Sequence, residues 1–310
     1  MPPEAGQSPR VAVLLASLNG GAFLAEQLAS IRAQGQRNLV VIVSDDGSTD
    51  DTIAVVQDAA RGMEIALRRG PGCGSTANFL SMLSDPLAEG AEFVAFCDQD
   101  DVWFPDKIAR AIAALRQAGE GPALYAARTV VTDAGLRPLG PSLRFRRKPG
   151  FGNALVQCIG GGNTMVMNAA ARALVARSAD RVAPVCHDWW CYQLVSGAGG
   201  TVVHDPEPCL FYRQHGANQL GANLGARAAA RRLAAALGGR FAGWNTVNLA
   251  ALAEVEGELT PQNRQLLREF AALRSLRGAR ALAALCQSGL WRQTRAGTLS
   301  LYGAALLGRL

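Results

Sequence analysis

Three carboxylates that follow an apolar run are the residues of this chain best suited to chemistry. Residues 93–107 read FVAFCDQDDVWFPDK, with the acids at Asp98, Asp100 and Asp101. The apolar run predicts a buried strand, which would place the acids at its carboxyl end, where open α/β sheets bind ligands. Because hard cations such as Mg²⁺ offset clustered carboxylates and also bind phosphate oxygens, the segment indicates a metal–phosphate site. The alternative is that Asp100 or Asp101 caps the helix that begins near Pro105.

Two earlier polar loops also follow predicted strands. SLNG at 17–20 comes after an apolar strand over 10–17, and DDGS at 45–48 comes after a second strand over 39–44. Carboxylates of the second loop can accept hydrogen bonds from a pyrimidine N3–H or from ribose hydroxyls. Each loop alone could be a simple turn. Since the carboxyl ends of parallel strands meet at one edge of a sheet, we expect both loops to join the acidic segment in one nucleotide site.

A second group of residues could act on another substrate. Residues 187–190 read HDWW, and Asp188 could either cap a helix or serve as general base on a hydroxyl group, a role worth roughly 10²–10⁴ in rate. Trp189 and Trp190 could offer ring faces to sugars and indole N–H groups to hydroxyls. His215, within YRQHG, could bind a metal or a phosphate, although a lone histidine is more often structural. The other two histidines are expected to be structural.

Composition describes a folded globular protein. The chain has 310 residues, of which 49% are hydrophobic and 18% are charged, and these fractions are typical of soluble domains. The first ten residues lack the apolar segment of a signal peptide, and no apolar run reaches the roughly 20 residues of a membrane span. Seven cysteines are scattered without a CxxC pair, which favours free thiols and a reducing cytoplasm.

The positive charge is concentrated in the last third of the chain. The net charge is +6, and residues 216–310 contain twelve Arg, no Lys, four Glu and no Asp. Segments 226–237 and 265–281 combine apolar stripes with arginine, as helices at a membrane surface do. Packing against the catalytic part of the chain or against a second copy in a homodimer would explain the pattern equally well. No nucleic acid is expected among the partners.

Strand and helix signals alternate through the first 132 residues. This alternation predicts an α/β fold with a mainly parallel central sheet covered by helices on both faces. After Gly140 the pattern becomes less regular, and from about Gly225 it is helical. We therefore predict a catalytic domain over residues 1–220 and a mostly helical, basic region over residues 221–310.

At these motifs the chain resembles family-2 glycosyltransferases, which have the nucleotide-sugar-binding GT-A fold. The resemblance covers roughly residues 10–220 and is strongest to bacterial rhamnosyltransferases of cell-surface polysaccharide synthesis. The segments that carry it are LLASLNGGAFLAEQLASI, VIVSDDGSTDDT, NFL followed by FVAFCDQDDVWFPDKI, GGNTMVMN, HDWW and FYRQHGAN. The loop over 70–75 departs from the pattern, because relatives usually carry Asn before its glycine.

The resemblance implies a role for each motif. Asp98, Asp100 and His215 would hold Mn²⁺ or Mg²⁺, and Asp188 would be the catalytic base. The residues expected to bind the nucleotide donor are Ala16, Ser17, Asn19, Asp45, Asp46, Ser48, Asn78 and Asp98. The residues expected to bind the acceptor are Trp103, Trp189 and Trp190.

The implied reaction is the transfer of a sugar from a nucleotide diphosphate with inversion at the anomeric carbon. The best match for the donor is dTDP-L-rhamnose, and the acceptor would be a saccharide or a lipid-linked saccharide. An acceptor of the second kind would place a cytoplasmic enzyme at the inner face of the cell membrane as a peripheral protein.

Three alternatives remain open from the sequence. The same fold and chemistry could use a UDP-sugar or a GDP-sugar. VAFCDQDDV also fits the DxDx(T/V) motif of haloacid-dehalogenase-like phosphatases, although that motif usually lies on the first strand and needs a later lysine, and this chain has only Lys107 and Lys148. A nucleotide-sugar-binding protein without catalytic activity is the third alternative.

Overall fold

One sheet of nine strands organises the part of the chain that the structure describes. The structure is a computed structural model and describes residues 8–216 and 239–310. The strands are β1 Val11–Ser17, β2 Leu39–Asp45, β3 Ile65–Arg69, β4 Phe93–Cys97, β5 Val102–Trp103, β6 Ala123–Thr132, β7 Pro138–Pro141, β8 Val166–Asn168 and β9 Thr201–Arg213.

Twelve α-helices accompany the sheet within the described residues. Those before the gap are α1 Gly21–Arg32, α2 Thr52–Ala59, α3 Ser75–Ser81, α4 Pro86–Glu89, α5 Lys107–Gln117, α6 Phe151–Ala154, α7 Ala169–Ala176 and α8 His187–Gly197. Those after the gap are α9 Arg240–Glu254, α10 Pro261–Leu273, α11 Gly278–Gln287 and α12 Arg295–Leu306.

The sheet is mostly parallel, with antiparallel strands inserted beyond β4. Its order is β3-β2-β1-β4-β8-β6-β9-β5, with β7 beside β6. β1 to β4 pair in parallel, as do β6 and β9. β8 is antiparallel to both of its neighbours, and β5 and β7 are also antiparallel to the strands they meet. The predicted α/β fold with a mainly parallel sheet is confirmed.

The direction of β8 decides where the preceding turn lies. Val166, at the start of β8, pairs with Ala95, and Asn168, at its end, pairs with Phe93 near the start of β4. The start of β8 therefore lies beside the carboxyl end of β4, from which the acidic segment continues. A short 3₁₀ turn over Gly162–Thr164 immediately precedes β8, and it lies at the same edge as the carboxylates.

The central strands are buried on both faces, which explains their nearly continuous apolar sequences. Along β1, Ala12 and Leu14 belong to one hydrophobic cluster, whereas Val13 and Leu15 belong to the other. Helices α1 and α5 cover the face of Val13, and α3, α7 and α8 cover the face of Leu14. These two layers of helices hold the sheet edge that carries the polar loops.

The C-terminal helices continue the cluster to which Leu14 belongs. Leu252 of α9, Phe270 of α10 and Leu285 of α11 are buried in the same cluster as Trp190 of α8. Segment 265–281 is therefore not one surface helix, because it breaks between α10 and α11 and its apolar side chains face the protein. Its interpretation as a membrane-surface helix loses its physical basis.

The other C-terminal predictions concern residues that are not described. The boundary after residue 220 and the helix predicted over 226–237 both lie outside the described residues. In the part of the chain that is described, none of the helices combines the length and the hydropathy needed to cross a membrane. All seven cysteine thiols are free.

Candidate active site

The acidic loop after β4 gathers its three carboxyl groups in one place. Each of Asp98, Asp100 and Asp101 offers an oxygen, and these oxygens lie within 4.8 Å of one another. His215 lies two residues beyond β9, and its Nε2 is 2.7 Å from Asp100 Oδ2. Strand β9 brings the histidine here because it pairs with β5, which directly follows the acids. The structure thus brings together the three residues predicted to bind a metal.

Electrostatics in this loop favour the arrival of a cation. Burial, reinforced by the nearby carboxylates of Asp100 and Asp188, raises the pKa of Asp98 to about 7. Burial also raises the pKa of Asp101, with the negative charge of Asp98 as the next cause. A divalent ion would relieve this repulsion, and carboxylate oxygens are ligands that Mg²⁺ and Mn²⁺ accept. Asp98, Asp100 and His215 therefore fit such an ion.

Asp101 faces the interior and not the loop surface. It is fully buried, and its Oδ2 accepts a hydrogen bond of 2.5 Å from Asn163 Nδ2. Lys107 is also fully buried, and its Nζ donates to the Asn163 carbonyl at 2.6 Å. Burial lowers the pKa of Lys107 to about 8. The expectation that Asp100 or Asp101 caps α5 is wrong, because Asp106 occupies the cap position.

Gln99 fastens the acidic loop to the loop after β1. Its Oε1 accepts from Ser17 Oγ at 3.0 Å and from the Leu18 N–H at 2.9 Å, while its Nε2 donates to the Leu18 carbonyl at 3.1 Å. An alanine at Gly20 would place its β-carbon 2.3 Å from Gln99 Oε1. A side chain at position 20 would displace the Gln99 side chain from these hydrogen bonds. Ala16, which is half-buried, and Ser17, which is buried, are the last two residues of β1 and lie beside the acidic loop.

The first and second polar loops form one unit, as the sequence predicts. Asp45 accepts hydrogen bonds from the N–H groups of Gly47 and Ser48 and from Ser48 Oγ, so its carboxylate shapes the second loop. The Asn19 N–H donates to Ser48 Oγ at 2.8 Å, and its side-chain oxygen accepts from the Thr49 N–H at 2.8 Å. Asn19 has a φ of +50°, a conformation that asparagine tolerates better than most residues.

Asp46 and Asn78 lie at the far side of the second loop. Asp46 is half-buried, and its Oδ1 accepts from the Gly72 N–H at 3.1 Å. Asn78 is only 1% exposed, and its Nδ2 donates to the Ser44 carbonyl at 3.0 Å. The structure therefore places Asn78 beneath the loops, where it supports the end of β2.

Asp188 lies in the first turn of α8 and meets the turn that precedes β8. Its Oδ1 accepts from the Trp189 N–H at 2.6 Å, and its Oδ2 accepts from the Gly162 N–H at 3.2 Å. The carboxylate is half-buried and close enough to Asp98 to raise the pKa of that residue. The turn thus touches Asp188 through Gly162 and the acidic loop through Asn163.

His187 is a buried support for this turn. Its ring stacks on Phe79 with centroids 4.1 Å apart and meets Phe96 edge-on at 4.9 Å. Burial lowers its pKa, so the imidazole is neutral at pH 7. A β-carbon on Gly162 would lie 2.1 Å from His187 Nε2. The structural role expected for this histidine agrees with these contacts.

Residues 12–175 match the sequence model of glycosyl transferase family 2, and this match covers more than half of the chain. The chain belongs to glycosyl transferase family 2. This glycosyltransferase is 26% identical to the dTDP-rhamnosyl transferase RfbG of Shigella flexneri over 229 residues, which are 71% of this chain and 78% of the relative. It is 32% identical to the GalNAc(5)-diNAcBac-PP-undecaprenol beta-1,3-glucosyltransferase of Campylobacter jejuni, over 36% of each chain.

Two solved structures share the fold of this glycosyltransferase. The mannosyltransferase PcManGT from Pyrobaculum calidifontis, in complex with GDP-Man and Mn²⁺, has a TM-score of 0.55 at 18% identity, covering 98% of this chain and 86% of its own. S. aureus TarS, in complex with UDP-GlcNAc, has a TM-score of 0.55 at 15% identity, covering 96% and 90%. The fold is GT-A with a helical C-terminal region. Family membership also excludes the phosphatase alternative. In agreement with this, the acids follow the fourth strand, whereas the phosphatase motif usually lies on the first.

The structure removes the basis on which three tryptophans were assigned to the acceptor. Trp189 and Trp190 are 3% and 0% exposed, and their indole N–H groups donate to the Ala154 carbonyl and to Ser178 Oγ. Trp103 is 3% exposed, and the Lys107 ammonium lies 3.2 Å from its ring centre. The rings of these three tryptophans are therefore buried inside the glycosyltransferase and are not open to a sugar.

A different aromatic pair lies beside Trp189, the residue that follows Asp188. Phe241 and Trp244 of α9 are half-buried and lie 5.8 Å and 6.4 Å from the Trp189 ring. Sequence reasoning missed them because α9 is far from HDWW in the chain. It also missed Arg213, which is buried and donates from Nε to the Asp100 carbonyl at 2.9 Å. The run YRQH at the end of a strand was the available signal for Arg213.

Proposed function

We propose that this glycosyltransferase transfers L-rhamnose from dTDP-L-rhamnose, with inversion, to a saccharide or lipid-linked saccharide in surface polysaccharide synthesis. The observation that carries the proposal is that one turn, Gly162–Thr164, contacts both Asp188 and the cluster of carboxylates that fits a metal ion. The relative named dTDP-rhamnosyl transferase supports the choice of donor. The relative whose name contains PP-undecaprenol supports a lipid-linked acceptor. On this proposal residues 1–220 form the catalytic domain and residues 221–310 a helical extension.

Asp98, Asp100 and His215 would hold Mn²⁺ or Mg²⁺ against the diphosphate. When bound, such an ion offsets the negative charge that develops on the leaving group. Arg213 keeps the Asp100 backbone in place, and Gln99 keeps the loop against the end of β1. These contacts fix the carboxylates before the donor arrives, so little reorganisation is needed during the reaction.

The nucleoside would lie on the joined polar loops at the carboxyl edge of β1 and β2. The residues proposed to line its site are Ala16, Ser17, Asn19, Asp45, Asp46 and Ser48. Since the Asp45 carboxylate is already occupied by its own loop, we infer that it shapes the site, and that Asp46 and Asn19 are better placed for direct contacts.

Asp188 would take the proton from the acceptor hydroxyl. Two backbone N–H groups, from Gly162 and Trp189, hold its carboxylate in one orientation. A fixed orientation suits a general base, which must lie within hydrogen-bond reach of the proton that it accepts. The hydroxyl oxygen would attack the anomeric carbon opposite the diphosphate, and a single displacement of this kind inverts the anomeric configuration.

The test is a nucleotide-release assay with dTDP-rhamnose, UDP-sugars and GDP-sugars in the presence of Mn²⁺, Mg²⁺ or EDTA. We expect metal-dependent release from dTDP-rhamnose, with activity reduced by about 10²-fold or more in Asp188→Asn. Asp180→Asn is the matched control, because Asp180 is an exposed carboxylate. If nucleotide is released only from another donor, the proposed donor is wrong and that sugar takes its place. If the product retains the anomeric configuration of the donor, the proposed role of Asp188 as the base is wrong. Binding without turnover would favour a nucleotide-sugar-binding protein.

A further inference from the structure

A cavity lined by arginines lies outside the site described above. Its volume is about 690 Å³, and it lies between the loop that follows β7 and the start of α12. Four guanidinium groups line it, together with Leu299, and no carboxylate does so among the described residues. The four arginines are Arg146, Arg147, Arg292 and Arg295. A second cavity of about 530 Å³ shares Arg146 and adds Arg144. We call the larger space the arginine cavity.

In the described part of the chain, the positive charge of this cavity has no carboxylate counter-ion. Within the described residues, none of the arginines that line it takes part in an ion pair. Segment 217–238, which is not described, contains no Asp or Glu in its sequence. Four guanidinium groups without counter-ions repel one another, so an anion in the cavity would be stabilising.

Two of these arginines are held in place by contacts that leave the charge unpaired. Arg292 donates from Nε to the Val156 carbonyl at 3.1 Å, and its guanidinium lies 4.1 Å from the Phe241 ring. Burial lowers the pKa of Arg292 to about 10. Arg147 lies 3.9 Å from the Trp291 ring. Arg292 is therefore a positioned and partly desolvated cation without a carboxylate partner among the described residues, an arrangement that costs stability unless an anion binds.

The start of α12 adds to the preference for an anion. This helix of 12 residues begins at Arg295, and its cap residue Thr294 accepts a hydrogen bond from the Gly297 N–H. The positive end of the helix therefore faces the same space as the guanidinium groups, and helix N-termini bind phosphates. Leu299 of the first turns is 67% exposed in this cavity. A cationic cavity with an exposed leucine suits a phosphate that carries an aliphatic chain.

A chain of contacts joins the arginine cavity to the acceptor side of the active site. Arg292 packs on Phe241, Phe241 lies 5.8 Å from Trp189, and Trp189 follows Asp188 directly. Given the proposed function, on which this inference rests, we propose that the arginine cavity binds the phosphate or diphosphate group of a lipid-linked acceptor saccharide.

Calorimetry with farnesyl diphosphate tests this inference directly, in EDTA so that no metal recruits the probe to the acidic loop. The double variant Arg146→Gln/Arg295→Gln removes two exposed guanidinium groups without disturbing a buried contact. We expect the dissociation constant to rise about tenfold or more, because two charge-assisted hydrogen bonds are lost. Arg37→Gln/Arg116→Gln removes two exposed charges elsewhere and should bind like the wild type.

Further probes separate the sources of phosphate. Pyrophosphate and farnesol should each bind more weakly than farnesyl diphosphate, and Leu299→Ser should weaken farnesyl diphosphate but not pyrophosphate. Equal affinity of the double variant and its control, or of pyrophosphate and farnesyl diphosphate, would overturn the inference. So would binding to phosphatidylglycerol vesicles without binding to farnesyl diphosphate, which would assign the surface to a membrane. Because no donor is present, these results stand apart from the nucleotide-release assay, in which the proposed function itself succeeds or fails.

Discussion

Replacing Gly162 with alanine should disturb the fold and the active site together, because no space exists there for a β-carbon. An ideal β-carbon would lie 2.1 Å from His187 Nε2. The imidazole cannot swing away easily, since Phe79 stacks on it at 4.1 Å and Phe96 meets its edge at 4.9 Å. Overpacking of this kind costs about 1–3 kcal/mol of unfolding free energy. Chemical denaturation followed by circular dichroism would measure the loss.

The same substitution should reduce transfer. The Gly162 N–H donates to Asp188 Oδ2 at 3.2 Å, so a displaced turn would misplace the proposed base. A displacement near 1 Å costs up to about 10²-fold in rate, and we expect kcat to fall by about tenfold to a hundredfold. Gly35→Ala is the control, because a β-carbon on Gly35 would meet nothing within 4 Å.

A double-mutant cycle tests the clash itself. His187→Ala alone should cost about 2–4 kcal/mol, as large-to-small changes in a packed core do. In the double variant, the alanine at position 162 would enter the space that His187 leaves. We therefore expect the combined loss to be smaller than the sum by about 1 kcal/mol or more. Additive losses, or an unchanged stability of Gly162→Ala, would refute the steric reasoning.

Three other outcomes concern the acidic loop. Asn163→Ala should lower the free energy of unfolding by about 1–3 kcal/mol, because fully buried Asp101 loses its hydrogen-bond donor. The exposed control Asn38→Ala should change it by less than about 0.5 kcal/mol in the same urea titration. Mn²⁺ affinity should fall as the pH drops below about 7, because Asp98, whose pKa is raised to about 7, must lose a proton to bind the metal. Calorimetry at pH 6 and pH 8 would measure the difference. An affinity that does not depend on pH would contradict this prediction. In the metal-free protein, the free energy of unfolding should fall as the pH rises from about 4 to about 7. Over this range folded Asp98 keeps a proton that the unfolded chain has already released.

The fold was predictable where strands are covered on both faces. β1, β2 and β4 read as nearly continuous apolar runs that end in polar loops, and only strands between two helical layers combine these features. The direction of β8 was not predictable. Three residues carry no periodic signal, and whether they pair parallel or antiparallel depends on a connection that packs far from them in sequence.

The site was predictable to the extent that its chemistry is local in sequence. The acids after β4 and the DDGS loop can be recognised in the sequence, because several side chains with oxygen ligands follow a strand within a few residues. Gln99, Lys107 and Asn163 do not, because each is a single polar residue whose partner is brought close only by the tertiary fold. The tryptophans beside Asp188 show the converse. An aromatic residue next to an acid can bind a sugar or fill a core, and burial, which the sequence does not reveal, decides for the core.

The antiparallel direction of β8 also explains how two distant chemical groups keep a fixed separation. Because β8 runs opposite to β4, the turn over Gly162–Thr164 lies at the carboxyl edge of the parallel strands. Its first residue holds the Asp188 carboxylate and its second holds Asp101 behind the acidic loop. Direct displacement requires the base and the leaving group on opposite sides of one carbon atom, and rate falls steeply with misplacement. One turn of three residues contacts both the Asp188 carboxylate and the acidic loop, so the distance between these two groups depends on neither α8 nor β4 alone. Any substitution that moves this turn should therefore affect metal binding and transfer together.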